Sequence, residues 1–317
     1  MEASLPEESM TEAPAAYDPK SDRVDWIRIL PFAGFHLLAL LLAFLVRPTV
    51  GDILLCIGMY YLRMFGVAGS YHRYFSHRTY QTSRAFQFVL AFLGGTAMQK
   101  GPLWWAANHR HHHRYSDMPE DVHSPTQRGF WWSHVGWILC KRFDKTDYEA
   151  VPDLAKYPEL VFLNEHHLIP PFAFGGLLFL IGLLLGGPQA GLHAVVWGFV
   201  VSTVVLWHGT FTINSLAHVF GRRRFPTTDT SRNSLSLALL TLGEGWHNNH
   251  HYYPGSMRQG FYWWQVDVAG YVVRALAKVG LVWDVRTAPP RVLELGRQKG
   301  AATEAVAVAL ASPEPTA

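Results

Sequence analysis

The sequence predicts an all-α membrane protein with four transmembrane helices under a cytoplasmic helical cap. Three observations carry that prediction: long apolar stretches free of charge, basic residues gathered to one side of them, and bunched histidines lying outside them. Charged residues make up 16% of the 317, against about 25% in soluble domains. With 49% hydrophobic residues, this excludes a typical soluble globule and a disordered chain. A net charge of +3 is too small for nucleic-acid binding. Two cysteines, Cys56 and Cys140, cannot build a disulfide scaffold, an iron–sulfur cluster or a Cys-rich zinc site.

Residues 1–25 are acidic, contain Pro6, Pro14 and Pro19, and have neither a basic start nor an apolar run. They read as a disordered tail, not a signal peptide. An integral-membrane domain follows over 26–290. Its first span is Ile29–Val46, 18 uncharged residues ended by Arg47-Pro48, which meets the length needed to cross hydrocarbon. The second, Ile53–Ser70, carries one charge, Arg63. Ala85–Gln99 is short, contains Gly94-Gly95, and reads as a buried or interfacial helix. His166 to Gly221 is uncharged for 56 residues. Gly186–Gly191 breaks it into spans at Leu168–Leu185 and Leu192–Leu216. A buried soluble core is the bland alternative, but soluble helices rarely stay uncharged all round. Trp263–Val282 reads as an amphipathic helix on the membrane surface, and 291–317 as a flexible C-terminal tail. There is no internal repeat.

The two short connections, 47–52 and 186–191, are nearly free of cations. The long one, about 71–165, holds eleven, among them Arg73, Lys100, Arg110 and Arg142, and Arg222-Arg223-Arg224 follows the last span. The positive-inside rule places both termini and the long connection in the cytoplasm.

Histidines form three boxes on that side: His72-Arg-Tyr-Phe-Ser-His77, His109-Arg-His-His112-His113, and His247-Asn-Asn-His250-His251. The last two share the pattern H-x-x-H-H, which puts three imidazoles on one helix face. His72 and His77 lie about 140° apart on an ideal helix, so they need a distortion or approach a metal from different sides. Neutral imidazole suits iron, copper, nickel or zinc, and eight or more from several helices can hold a pair of ions. The cap is therefore expected to carry a histidine-rich dimetal site. His36, His193 and His208 read as hydrogen-bonded core residues. His166-His167 reads as interfacial, and His123 and His134 as structural. His111 faces away from its box.

These motifs resemble the membrane fatty acyl desaturases, the Δ9 (stearoyl) acyl-CoA branch in particular. The resemblance runs from about Asp25 to Val285 and rests on Tyr71–His77, Asn108–His113, Gly243–His251 and Asn214-Ser215-Leu216-Ala217-His218. It implies a di-iron centre held by His72, His77, His109, His112, His113, His218, His247, His250 and His251, with Asn214 near one metal through a water. From the residues alone, His218 is a single histidine at a span end. The resemblance also implies a narrow, bent acyl tunnel with Trp105 and Thr210 at the bend. It departs at Ala107-Asn108, where the acyl-CoA branch often has Arg-Asp at the nucleotide headgroup. That favours a lipid-linked or carrier-linked donor.

The implied reaction inserts a cis double bond, at Δ9, into a saturated acyl chain. Unactivated C–H bonds yield to a redox metal and O2, not to acid–base chemistry. The cofactors expected are two iron ions, with zinc possible in purified material, and O2 as cosubstrate. Glu244 and Asp121 are candidates for orienting the imidazoles. With no haem domain, Rossmann fingerprint or Cys cluster, the two electrons must come from a separate donor, a ferredoxin or cytochrome b5-like protein. Arg222–Arg224 can attract an acidic partner or anchor the chain at the inner surface. The remaining partners are an acyl-CoA or acyl-lipid substrate and the bilayer. Rival readings are a membrane hydroxylase or alkane monooxygenase and a metal transporter. The boxes lie outside the apolar runs, unlike transporter ligands near the midplane.

Overall fold

The computed structural model describes residues 22–298. The tail residues 1–21 and 299–317 lie outside the described residues. What is described is mostly helical, with one antiparallel pair of two-residue strands, Gln81–Thr82 and Val282–Trp283.

Three stretches have the length and composition to cross a membrane: Trp26–Leu45, Val50–Ser76 and Ile169–Val219. The first, α1 (Trp26–Leu45), is capped by Asp25, whose carboxylate accepts from the Ile27 N–H at 2.9 Å. The residues just before it were expected in the tail, yet they are held in place. Buried Asp22 pairs with Arg128 and Arg142 at 2.9 and 3.1 Å, and Val24 bridges to Cys140. The second stretch starts as α2 (Val50–Phe65) behind a Thr49/Asp52 capping box. It does not end at Ser70 but runs on as a π-helix, Gly66–Ser76. Arg63, its lone charge, is fully buried. Its guanidinium donates to Thr203 Oγ1 at 2.6 Å, Ser202 Oγ at 2.5 Å and the Thr96 carbonyl at 3.3 Å, and it lies against the Phe174 ring. Neutral acceptors and an aromatic face thus replace water around it.

The short apolar run forms α3 (Arg84–Gly95), and the second box lies on α4 (Pro102–Tyr115). Both pack on the π-helix around a core that includes Tyr71, Phe75, Leu90 and Leu103. In the long connection α5 (Phe130–His134) meets the last apolar helix.

The third stretch, 51 residues, would reach about 77 Å if straight, more than twice the ~30 Å hydrocarbon core. It is folded instead. Its first helix, α6 (Ile169–Val195), is broken at Gly186 and Gly187, the latter at φ +78, a conformation that needs glycine. The break is narrower than the sequence suggested, because the chain is helical again from Pro188, which suits the first turn of a helix. The two arms pack antiparallel through glycines. A Cβ on Gly182 would meet the Ala190 carbonyl oxygen at 2.6 Å, and one on Gly191 the Phe179 oxygen at 3.0 Å. After a π-helical turn, Val196–Val201, the returning arm continues as α7 (Ser202–Asn214) and a single turn, α8 (Leu216–Val219).

Two further short helices, α9 (Leu235–Leu240) and α10 (His247–Tyr252), follow. The amphipathic helix is shorter than expected: α11 is Val268–Lys278, started by Asp267, whose side chain accepts from the Gly270 N–H. Trp263 and Trp264 lie in the preceding turn and are exposed. Residues 291–298, placed in the tail by the sequence, are helical, and buried Val292 packs with Phe225, Phe261 and Tyr262.

The hairpin gives a direct test. Gly182→Leu should lower stability by about 3 kcal/mol, the upper range for overpacking. Gly176→Leu, where nothing lies within 4 Å, should leave it unchanged. Thermal unfolding in detergent reads both, and equal behaviour would contradict the antiparallel contact.

Candidate metal centre

The π-helix supplies the distortion that the first box requires. The His77 N–H donates to the His72 carbonyl at 3.2 Å, an i→i+5 bond that brings the fifth residue back over the first. Their rings sit 4.9 Å apart. Box two occupies α4 and box three α10, so H-x-x-H-H is helical in both. His218 arrives on α8, and its Nε2 is 3.1 Å from that of His247.

The nine histidines form two groups. One is His72, His77, His109, His113 and His250; the other is His112, His218, His247 and His251. Within each, one ring nitrogen per residue lies within 4.8 Å of all the others. Nε2 atoms face each other at 2.9 Å for His72 and His250, 2.8 Å for His77 and His109, and 2.9 Å for His113 and His250. His111 stands apart, against the Glu120 carbonyl.

Carboxylates hold four of the rings from behind. His72 Nδ1 faces Glu244. His112 Nδ1 is 2.8 Å from Asp121, His251 Nδ1 is 2.8 Å from Asp229, and His218 Nδ1 is 3.4 Å from Asp117. Such a partner fixes the tautomer and leaves Nε2 as a bare lone pair. His112 and His251 are both fixed this way, yet their Nε2 atoms lie only 3.4 Å apart. Two lone pairs at that distance repel, and a cation between them satisfies both. The donor set therefore fits metal ions, and all-imidazole donors suit iron, copper, nickel or zinc.

Electrostatics agree for five of the rings, whereas at His112 burial is outweighed by Asp121, which raises that imidazole. Burial, reinforced by neighbouring imidazoles, pushes His109, His113, His247 and His250 well below the usual histidine range and His251 to about 4. These rings are neutral at pH 7, as ligands must be. Burial works to raise Asp121 and Asp229, but His112 and His251 hold both carboxyls well below their usual range. Glu244 is also held down, by His72 and by Arg73, whose buried guanidinium bridges it to Asp267 at 2.9 Å on each side.

A cavity of 480 Å3 opens between α1 and the start of α6 and ends at Trp105, His109, Thr210 and Asn214. A 40 Å3 pocket continues from those residues to His72, His112 and His247. Trp105 stacks on His109 with ring centroids 4.9 Å apart, and Gln99 Nε2 donates to Thr210 Oγ1 at 3.0 Å. Asn214 lines both spaces. A narrow apolar space thus leads to a nest of imidazoles, and the family comparison decides what that combination belongs to. The family model "Fatty acid desaturase" matches residues 43–286.

The chain belongs to the fatty acid desaturase family. It is 34% identical over 276 residues to the sn-2 palmitoyl-lipid 9-desaturase of Nostoc sp. (strain 36), covering 86% of this chain and 93% of that one. The Delta-9 acyl-lipid desaturase 1 of Arabidopsis thaliana is 35% identical over 86% and 87% of the two chains. An acyl-CoA 5-desaturase of Anemone leveillei is 31% identical over 90% of each. The protein is accordingly an oxidoreductase of lipid metabolism.

Sequence reasoning missed several partners in this desaturase. Asp117 and Asp229 are ordinary surface-type residues in the sequence, and only the fold brings Asp229 to His251, 22 positions away. Gln99 ends an apolar run without any mark of its role. His123, read as structural, is buried, has an unpartnered Nδ1, and lines both spaces.

Asp121→Asn should weaken metal retention about 10- to 100-fold, measured by competition with a chelator. Exposed Asp147→Asn should leave it unchanged. Equal retention in both would show that the carboxylate does not orient His112.

Proposed function

We propose that this desaturase is a multi-pass membrane enzyme that inserts a cis double bond at Δ9 of a saturated acyl chain. The carrying observation is the continuity from the 480 Å3 cavity, past Trp105 and Thr210, to the two histidine groups. In this reading the chain crosses the bilayer four times, the Ile169–Val219 stretch crossing twice. Both termini and the histidine cap face the cytoplasm.

The nine histidines would hold two iron ions, with Asn214 close enough to assist at one of them. When bound, the iron pair supplies the one-electron chemistry with O2 that an unactivated methylene requires. The residues do the rest. Phe32, Phe35 and Trp207 exclude water from the acyl chain. Trp105 and Thr210, the latter fixed by Gln99, turn it so that one carbon pair lies beside His109. Cavity depth sets the double-bond position because the chain offers no polar handle, which is why relatives named as 9- and 5-desaturases can share this scaffold. Two electrons come from an external ferredoxin or cytochrome b5-like donor.

A lipid-linked donor suits the entrance better than a CoA thioester. The opening lies between Arg28–Phe35 and His167–Phe172, beside exposed Ile27, Leu30, Leu168 and Phe172. Its two cations, Arg28 and Lys100, both bind Asp144 at 2.5 Å, so little positive charge remains for a polyanionic nucleotide.

Expression in a host lacking its own desaturase, followed by fatty-acid analysis with double-bond location, tests the reading. A new cis-Δ9 alkene, abolished by His112→Ala, is the expected result. An alcohol as the main product would establish hydroxylation instead, and a Δ5 alkene would overturn the assigned position.

A further inference from the structure

A groove of 430 Å3 opens away from the acyl cavity, just past the end of the last apolar stretch. Three consecutive cations line it, Arg222, Arg223 and Arg224, and among the described residues no Asp or Glu does. Its floor is backbone. Arg222 forms an antiparallel bridge with Asn233, and Asn233 forms another with Trp246. Asn233 is held further by Asn249, donating from Nδ2 to the Asn249 side-chain oxygen at 2.7 Å. The groove is therefore fixed before anything enters it.

None of the three guanidiniums has a carboxylate partner among the described residues. Arg223 donates to the Thr227 carbonyl. Arg224 donates to the Gly296 carbonyl at 2.8 Å and lies over the Tyr262 ring. Arg222 makes only its backbone bonds to Asn233. Glu294, two residues from Gly296, is paired with Arg297 at 3.7 Å. Three adjacent like charges repel one another, and an anion among them gains charge-assisted hydrogen bonds from each.

The rest of the lining is apolar and includes Phe220, Leu235, Trp246 and Trp264. Trp264 is braced by stacking on Tyr262, with centroids 4.8 Å apart. Exposed Val219, Leu239 and Trp263 flank these residues along the chain. A free phosphate gains nothing from such a wall. In the four-span reading α7 and α8 end a crossing, so a groove that begins at Phe220 lies at headgroup depth. Tryptophans favour that depth, and a soluble acidic protein does not reach into it.

We propose that this groove binds the phosphate of an anionic glycerophospholipid, whose acyl chains lie along Phe220, Leu235 and Leu239. Basic pockets on the cytoplasmic side of membrane proteins bind such headgroups. The depth rests on the four-span reading above. The binding does not, because it can be measured without topology or turnover.

Native mass spectrometry of the metal-loaded protein in detergent tests the site. One phosphatidylglycerol per chain should be retained in preference to phosphatidylcholine. Inorganic phosphate at the same concentration should not displace it. Arg222→Gln/Arg223→Gln, both at exposed positions, should weaken retention about 30-fold, roughly fivefold for each cation at an anionic surface. Lys141→Gln/Lys145→Gln removes the same charge from exposed positions outside the groove and should change nothing. Equal losses in the two double variants overturn the proposal, as does equal retention of both lipids or displacement by inorganic phosphate. Unchanged lipid retention in the groove variant, with alkene formation lost at low donor concentration, also overturns it and makes this face a dock for an acidic protein.

Discussion

Bare imidazole lone pairs that face one another across about 3 Å are the constraint on which this structure depends. Nine rings converge from four chain segments, and carboxylates behind four of them fix the tautomer that turns Nε2 inward. Such a cluster is electrostatically unsatisfied by itself. Cations shared among the rings would resolve it, and the fold around it reads as the means of holding the rings in register.

Each element contributes to that register in a physically distinct way. The π-helix at Gly66–Ser76 turns a five-residue spacing into a common direction for His72 and His77. The break at Gly186-Gly187 lets one long apolar stretch fold back, so that α7 and α8 carry Asn214 and His218 to the boxes from the opposite side. Buried Arg73 ties Glu244 to Asp267 and so braces His72 through its carboxylate partner. The cavity ends at Trp105, whose ring stacks on His109, so one residue both closes the cavity and supports a ring of the histidine group.

Much of this was legible in the residues. Apolar run lengths marked the membrane stretches, and H-x-x-H-H marked two helical ligand faces because i, i+3 and i+4 share a face. The wide spacing of the first box already required a distortion, and the π-helix is that distortion. Other features carry no local signal. His218 is a lone histidine whose partner lies 29 positions away, so only the resemblance pointed to it. Asp117 and Asp229 act through contacts made by the fold. The tail boundaries were misplaced because composition does not reveal that Asp22 meets two arginines or that Val292 finds an aromatic pocket. The surface helix begins late because Asp267 caps it at Val268, leaving Trp263 and Trp264 in a turn.

The most direct measurement is anomalous X-ray scattering at the iron edge from protein loaded anaerobically with ferrous iron. The account requires two peaks, one within the group of His72, His77, His109, His113 and His250 and one within that of His112, His218, His247 and His251. A single peak, or iron located away from these imidazoles, would contradict it.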